Sequence, residues 1–301
     1  YMLKNRIACF KINIIPIVKL GLTICGSLFS FLAILISFFS WSEIGINSVW
    51  IKILIFISIC LFSFILAAFL IVFIFKAKRI WTKGENKVSA FYGDIINLSF
   101  NLKSKQKRII VIPVNDCFDT IVESSNEKNN NPLISANTIH GKWIENMNKK
   151  LNVSSKVINQ RIQNNLKLNG YLPEKVYTKE EKNKGNLDSY ALGTTAIIDG
   201  GNNVVFYLLV ISKFDLNNKA QVTKRKLRDC IESLLDFYDK QGQGDTLYIP
   251  LVGTGRSRAG LTHKQSLDII KSCILTSEKQ INGSIEIVVY NSDKDKVSIF
   301  S

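Results

Sequence analysis

Two stretches of this chain, residues 20 to 41 and 53 to 75, contain no Asp, Glu, Lys or Arg and are dominated by Phe, Ile, Leu and Val. As helices of about 22 residues, each would rise roughly 33 Å, against a bilayer hydrocarbon core of about 30 Å. A signal peptide for the first run and a buried core helix for the second are the competing readings. A signal h-region is shorter and ends in small residues, whereas here a second full-length apolar run follows after a short loop. The pattern therefore predicts a transmembrane hairpin within residues 1 to 83.

Basic residues set the orientation of such a hairpin. Lys4, Arg6, Lys11 and Lys19 precede the first span, and Lys76, Lys78, Arg79 and Lys83 follow the second, while the connecting "SEIGINSVWIK" holds only Lys52. Cytoplasmic loops carry the excess of Lys and Arg. A multi-pass protein of the cell inner membrane or plasma membrane is expected, with both termini cytoplasmic and the lipid bilayer as a partner. The net charge of +15 raises a nucleic-acid hypothesis. Part of it is the juxtamembrane cluster, which suits anionic lipid, and the remainder is scattered lysine without an aromatic-basic stripe. No nucleic-acid partner is expected. The six cysteines show no CxxC spacing, and His140 and His263 are the only histidines. Neither a disulfide framework nor a multi-His metal centre is predicted, and no cofactor is expected.

Residues 84 to 301 read as one α/β domain. "KVSAFYGDIINLSF" and "KRIIVIPVN" are β-rich, the second apolar enough to be buried on both faces. Helical patterning covers residues 133 to 170, and "LPEKVYTKEEKNKGNLDS" is a polar insertion without a legible conformation. Strands follow at "YALGTTAIID" and "NVVFYLLVIS". Leu227, Ile231, Leu234, Leu235 and Tyr238 then fall at helical spacing. Next come the strand "DTLYIPLV", a helix from about Thr262 to Gln280, and the strand "SIEIVVYN". Strands alternating with helices predict a mixed or largely parallel sheet, with ligand sites beyond the carboxyl ends of its strands.

"LVGTGRSRAG", residues 251 to 260, leaves one of those strands at its carboxyl end. Gly253 and Gly255 let backbone N–H groups approach an anion with no Cβ in the way, which suits a diphosphate, or they simply make a tight turn. The loop lacks the GK[ST] ending of a Walker motif and does not open a first βαβ unit. Arg256 and Arg258 are either phosphate partners or solvated charges.

From about Tyr92 onward the chain resembles the macro domain, an ADP-ribose-binding fold. "YGDI" is similar to the family's early Gly-Asp-Ile, which puts Asp94 on the position that reads the adenine amino group and Ile95 beside it. "IIVIPVND" is similar to the strand ending in Val-Asn-Ala-Ala-Asn, so Asn115, with Asp116 next to it, falls near the distal ribose. "LVGTGRSRAG" resembles the second phosphate loop, placing Gly253, Thr254, Gly255, Arg256, Ser257 and, next in line, Arg258 around the diphosphate. "VVYN" places Tyr290 and Asn291 beside the adenine. The family's Gly-Gly-Gly-Val segment is replaced by "ISANTIHGKWI", with Gly141 alone in the expected role. The implied fold is a two-helix hairpin followed by a macro-like three-layer α/β/α domain with a mixed sheet.

Two spans fused to a divergent macro domain resemble a narrower group, the membrane-macro effectors of type II Thoeris, a bacterial anti-phage system. "PVND-FDT" and "HGKW" are similar to that group's first loop, and His140 then faces the distal end of the ligand, unless it is a helix-start histidine satisfied by a carbonyl. The resemblance implies an ADP-ribose-type signal made by a TIR-domain, NAD-consuming partner enzyme, with an amino-acid (histidine) conjugate as one candidate. It also implies a homo-oligomer, because two helices from one chain cannot line a pore. The chain is then a sensor and effector rather than an enzyme. The alternatives are a membrane-anchored hydrolase, with Asp116 or Asp119 activating a water, and a passive reader of ADP-ribosylated targets.

Overall fold

A computed structural model describes residues 2–83, 86–101, 106–123, 133–214, 220–242, 244–254, 260–277 and 282–301. The chain divides into two compact units: Tyr1–Lys78 with Ser292–Ser301, and Arg79–Asn291.

The first unit holds three helices: α1 (Met2–Ile12), α2 (Ile14–Phe38) and α3 (Val49–Phe69), the last continued by a π-helical turn over Leu70–Ile74. Ile14–Phe38 and Val49–Ile74 span 25 and 26 residues and are long and apolar enough to cross a membrane. Both begin several residues before the predicted limits, because helix continues through flanking residues such as Lys19 and Lys52 that the charge-free criterion left out. The two helices approach closely at Gly21, where an added Cβ would lie 2.5 Å from the Phe64 ring. Phe29 stacks on Phe56 at 4.8 Å. The final residues of the chain pack on this unit. Ser298 Oγ donates to Asn13 Oδ1 at 2.6 Å, and Phe300 lies against the cluster of Ile17, Ala67 and Ile71.

The second unit is built on a mixed sheet. Its strands are β1 (Ala77–Lys83), β2 (Asn86–Gly93), β3 (Arg108–Asn115), β4 (Val122–Glu123), β5 (Ile134–Ser135), β6 (Lys175–Val176), β7 (Asp188–Ser189), β8 (Thr195–Gly201), β9 (Val204–Phe214), β10 (Ala220–Gln221), β11 (Thr246–Pro250) and β12 (Ile285–Tyr290). The helices are α4 (Ile95–Ser99), α5 (Ile139–Leu151), α6 (Ser155–Leu168), α7 (Lys224–Gln241) and α8 (His263–Thr276). The main sheet runs β1-β2-β12-β11-β3-β9-β10, with β8 also paired to β9. β2, β12, β11, β3 and β9 run parallel to one another in that order. β8 and β10 are antiparallel to β9.

β3 is buried on both faces, as its unbroken apolar run predicted. On one side Ile110, Ile112, Val114, Phe206 and Leu208 pack with Trp143 and Met147 of α5 and with Ile158 and Ile162 of α6. On the other side α7 buries Leu227, Ile231, Leu234, Leu235 and Tyr238, the residues singled out by spacing, and Phe237 meets Tyr207 edge-on at 5.1 Å. The result is the expected three-layer α/β/α arrangement. Hydroxyl caps set the helix starts: Thr138 for α5, Ser154 for α6, Thr223 for α7, and a reciprocal Thr262–Gln265 box for α8. Two local readings differ. The run after residue 87 bends into α4 at Asp94 instead of remaining extended, and the polar insertion carries an antiparallel pair of short strands, β6 and β7.

Candidate functional site

Four parallel strands end on one edge of the sheet, and each hands over residues singled out from the sequence. β2 ends at Gly93 and passes to Asp94, while β12 ends at Tyr290, whose register partner is Gly93. β11 ends at Pro250, just before Gly253 and Thr254. β3 ends at Asn115. Because the order is β2-β12-β11-β3, the edge runs from Asp94 and Tyr290, past the glycine loop, to Asn115. Three inter-strand steps make this about 14 Å at ~4.8 Å each.

At one end, Asp94 caps α4: its Oδ1 accepts from the backbone N–H of Ile96 at 2.8 Å and of Asn97 at 3.3 Å. Ile95 is buried in the core beneath it. Tyr290 is 45% exposed, so its ring is open to stacking, and Asn291 beside it is also exposed. The Lys142 ammonium lies 5.8 Å from the Tyr290 ring centroid, close enough for a cation–π contact. Lys142 follows Gly141 in sequence, and only the tertiary fold brings it to Tyr290.

In the middle, Gly253 adopts φ +79° and Gly260 φ +63°, conformations that an L side chain resists. The stem of the loop is tied to α8: Ser266 Oγ donates to the Val252 carbonyl at 2.6 Å and accepts from its N–H at 3.0 Å. Gly255, Arg256, Ser257 and Arg258 lie outside the described residues.

At the far end the polar groups are closely knit. Asn115 Nδ2 donates to Asp119 Oδ2 at 2.6 Å, and its Oδ1 accepts from the Asp119 N–H at 3.1 Å. Asp116 Oδ2 accepts from Ser189 Oγ at 2.5 Å. Asp119 is fully buried and pairs with Lys182 Nζ at 2.8 Å. Burial alone would lower the Lys182 ammonium, yet the charge and hydrogen bonds of Asp119 carry it above the ordinary lysine value. Burial also pushes the neighbouring Cys117 thiol up to about 12, leaving it without thiolate character at neutral pH.

His140 and Gly141 sit in the first turn of α5. An added Cβ on Gly141 would fall 2.2 Å from the Ser135 carbonyl oxygen, so glycine here allows the helix start to press on β5. His140 is buried, its pKa is pulled down to about 3 by desolvation, and its Nε2 has no partner among the described residues. It is a neutral imidazole across the physiological range.

A three-layer domain with a mixed sheet and a glycine loop at the carboxyl edge of β11 is a macro domain. A family model described as Thoeris protein ThsA, Macro domain, matches residues 89–290, and the chain belongs to that family. It is similar to the Thoeris protein ThsA of Bacillus amyloliquefaciens (strain Y2), with 23% identity over 195 residues, 63% of this chain and 60% of the relative. The chain therefore matches less than two thirds of that relative's length. Among solved structures, it is similar to a mutant Oceanobacillus iheyensis macrodomain with ADPR at 15% identity and TM-score 0.44, over 74% of this chain and 94% of that one. The same macrodomain with ADP matches at 14% identity and TM-score 0.39, over 74% and 92%.

Proposed function

We propose that this protein is the membrane effector of a bacterial anti-phage system, its macro domain sensing an ADP-ribose-derived signal and its hairpin disrupting the membrane. The signal comes from a TIR-domain enzyme that consumes NAD. One observation carries the reading: a single chain joins a ThsA macro domain to two helices of membrane-spanning length. In this reading Asp94 and Tyr290 hold the adenine, with Asn291 at its side, Gly253 and Thr254 lead the loop that takes the diphosphate, and Asn115 lies toward the distal ribose. The hairpin crosses the inner or plasma membrane with both termini in the cytoplasm, and several copies assemble, since one pair of helices encloses no pore.

A sensor is favoured over a hydrolase by the state of the nearby acids and bases. Asp116 is held by Ser189, Asp119 by Lys182, Asn115 and Asn186, and His140 is a buried neutral ring. General-base work needs a group poised to take a proton from a bound water. Calorimetry followed by mass spectrometry of the recovered ligand tests the reading. The sensor binds ADP-ribose or its amino-acid conjugates and returns them intact, whereas catalytic release of a fragment would favour the hydrolase.

A further inference from the structure

The insertion between α6 and β8, residues 171 to 189, closes over the end of β3 and supplies partners that the loop after Asn115 cannot find locally. In that loop Phe118 is fully buried with φ +49°, a left-handed conformation uncommon for a bulky L residue and sustained only where the surroundings over-determine it. The surroundings here come from the insertion. Asn186 Nδ2 donates to the carbonyls of Cys117 and Phe118, each at 3.0 Å, and its backbone N–H donates to Asp119 Oδ1 at 2.6 Å. Lys182 Nζ reaches both Asp119 oxygens, at 3.0 and 2.8 Å, and the Asn186 carbonyl at 2.6 Å. Gly185, at φ +78°, lets this segment lie on Asp119: a Cβ there would fall 2.0 Å from Asp119 Oδ1. Asp119 in turn grips both ends of the Asn115 amide.

We propose that residues 182 to 186 form a strap that sets the distal-ribose end of the ligand site, with Lys182 and Asn186 as positioning residues acting through Asp119 on Asn115. The logic is one of connectivity. A buried carboxylate with its counter-charge removed rearranges or takes up a proton, and the groups fixed by that carboxylate move with it. In this site the fixed group is Asn115, on the strand farthest from Asp94 and Tyr290. The adenine and diphosphate positions lie on β2, β12 and β11, and among the described residues the hydrogen bonds of Lys182 and Asn186 go instead to Cys117, Phe118, Asp119 and Asn159. Its loss therefore falls on the part of the ligand beyond the diphosphate, and the strap decides what is accepted there.

This inference rests on the nucleotide reading, and ADP and ADP-ribose together separate the two. They share the adenosine diphosphate, and only ADP-ribose carries the distal ribose. Full-length protein in detergent is titrated with each by calorimetry, as wild type, Lys182→Met and Asn186→Ala, with melting curves alongside. Both variants are expected to lose about tenfold in ADP-ribose affinity, one lost hydrogen-bonded contact, while ADP stays within about twofold. Asn186→Ala retains the Asp119–Lys182 pair and carries the test if Lys182→Met fails to fold. Parallel weakening of both nucleotides would reduce the strap to a general structural brace. Unchanged ADP-ribose affinity in both variants would remove it from the site. A wild type that binds neither nucleotide would overturn the nucleotide reading and the strap with it.

Discussion

Asp94 has two assignable jobs, and the pair Asp94→Asn and Asp94→Ala separates them. One carboxylate oxygen caps α4 through Ile96 and Asn97; the proposed ligand contact is a charge-assisted hydrogen bond from the adenine amino group to the carboxylate. Asparagine keeps a carbonyl oxygen for the cap and lies near aspartate in cap preference, so Asp94→Asn should melt within a few degrees of wild type. Alanine removes the cap and should cost about 0.5–2 kcal/mol of stability. Both variants lose the charge-assisted acceptor, roughly 1.5–3 kcal/mol, or about tenfold to a hundredfold in affinity. Calorimetry with ADP-ribose and thermal melting on the same preparations read the two effects separately. If Asp94→Asn binds ADP-ribose as wild type does, Asp94 is a helix cap and nothing more, and the adenine end of the site has been placed wrongly.

Three further outcomes follow from particular contacts. Gly253→Ala puts a Cβ on a residue at φ +79° and should cost about 1–2 kcal/mol by strain, with weaker nucleotide binding in calorimetry; unchanged affinity would make the loop a simple turn. His140 has its folded pKa lowered from 6.5 to about 3, so the fold favours the neutral ring, and this contribution is complete above pH 6.5 and lost as pH falls toward 3, at up to about 1.4 kcal/mol per unit. Denaturant melts across that window should flatten in His140→Leu, and identical pH slopes for both proteins would contradict the burial. Cys25 and Cys60 place their sulfurs 3.8 Å apart across α2 and α3, so mild copper–phenanthroline oxidation should give an intramolecular disulfide detectable by peptide mapping, whereas no cross-link would argue against this pairing of the helices.

How far the sequence reached depended on how local the signals were. β3 was legible because the run from Arg108 to Asn115 is buried at every position but Pro113, and α8 because Thr262 and Gln265 write its start within four residues. The glycine loop was legible as a turn leaving the carboxyl end of a strand, and the positive φ of Gly253 bears out that part. What escaped was long-range. Lys182 meets Asp119 across 63 positions and Asn186 meets Cys117 across 69, so the insertion read only as polar chain, although its polar groups are the partners of the β3 loop. Lys142 at Tyr290 gave no warning in sequence. The basic residues after Phe75 read only as a juxtamembrane cluster, yet Ala77–Lys83 is a strand at the edge of the sheet, because its neighbour β2 offers a ladder that no single-segment reading reveals.

The proposed effector role requires that ligand occupancy at the sheet edge change the state of the hairpin, and so that the ligand bind two states with different affinity. Dye-loaded vesicles carrying the full-length protein measure it directly, with the products of a TIR-domain enzyme acting on NAD added outside to protein oriented with its macro domain outward. The account predicts rapid dye release that saturates with ligand and is lost in Asp94→Ala. Vesicles that stay sealed while calorimetry shows the site filled would contradict it and leave the hairpin an anchor.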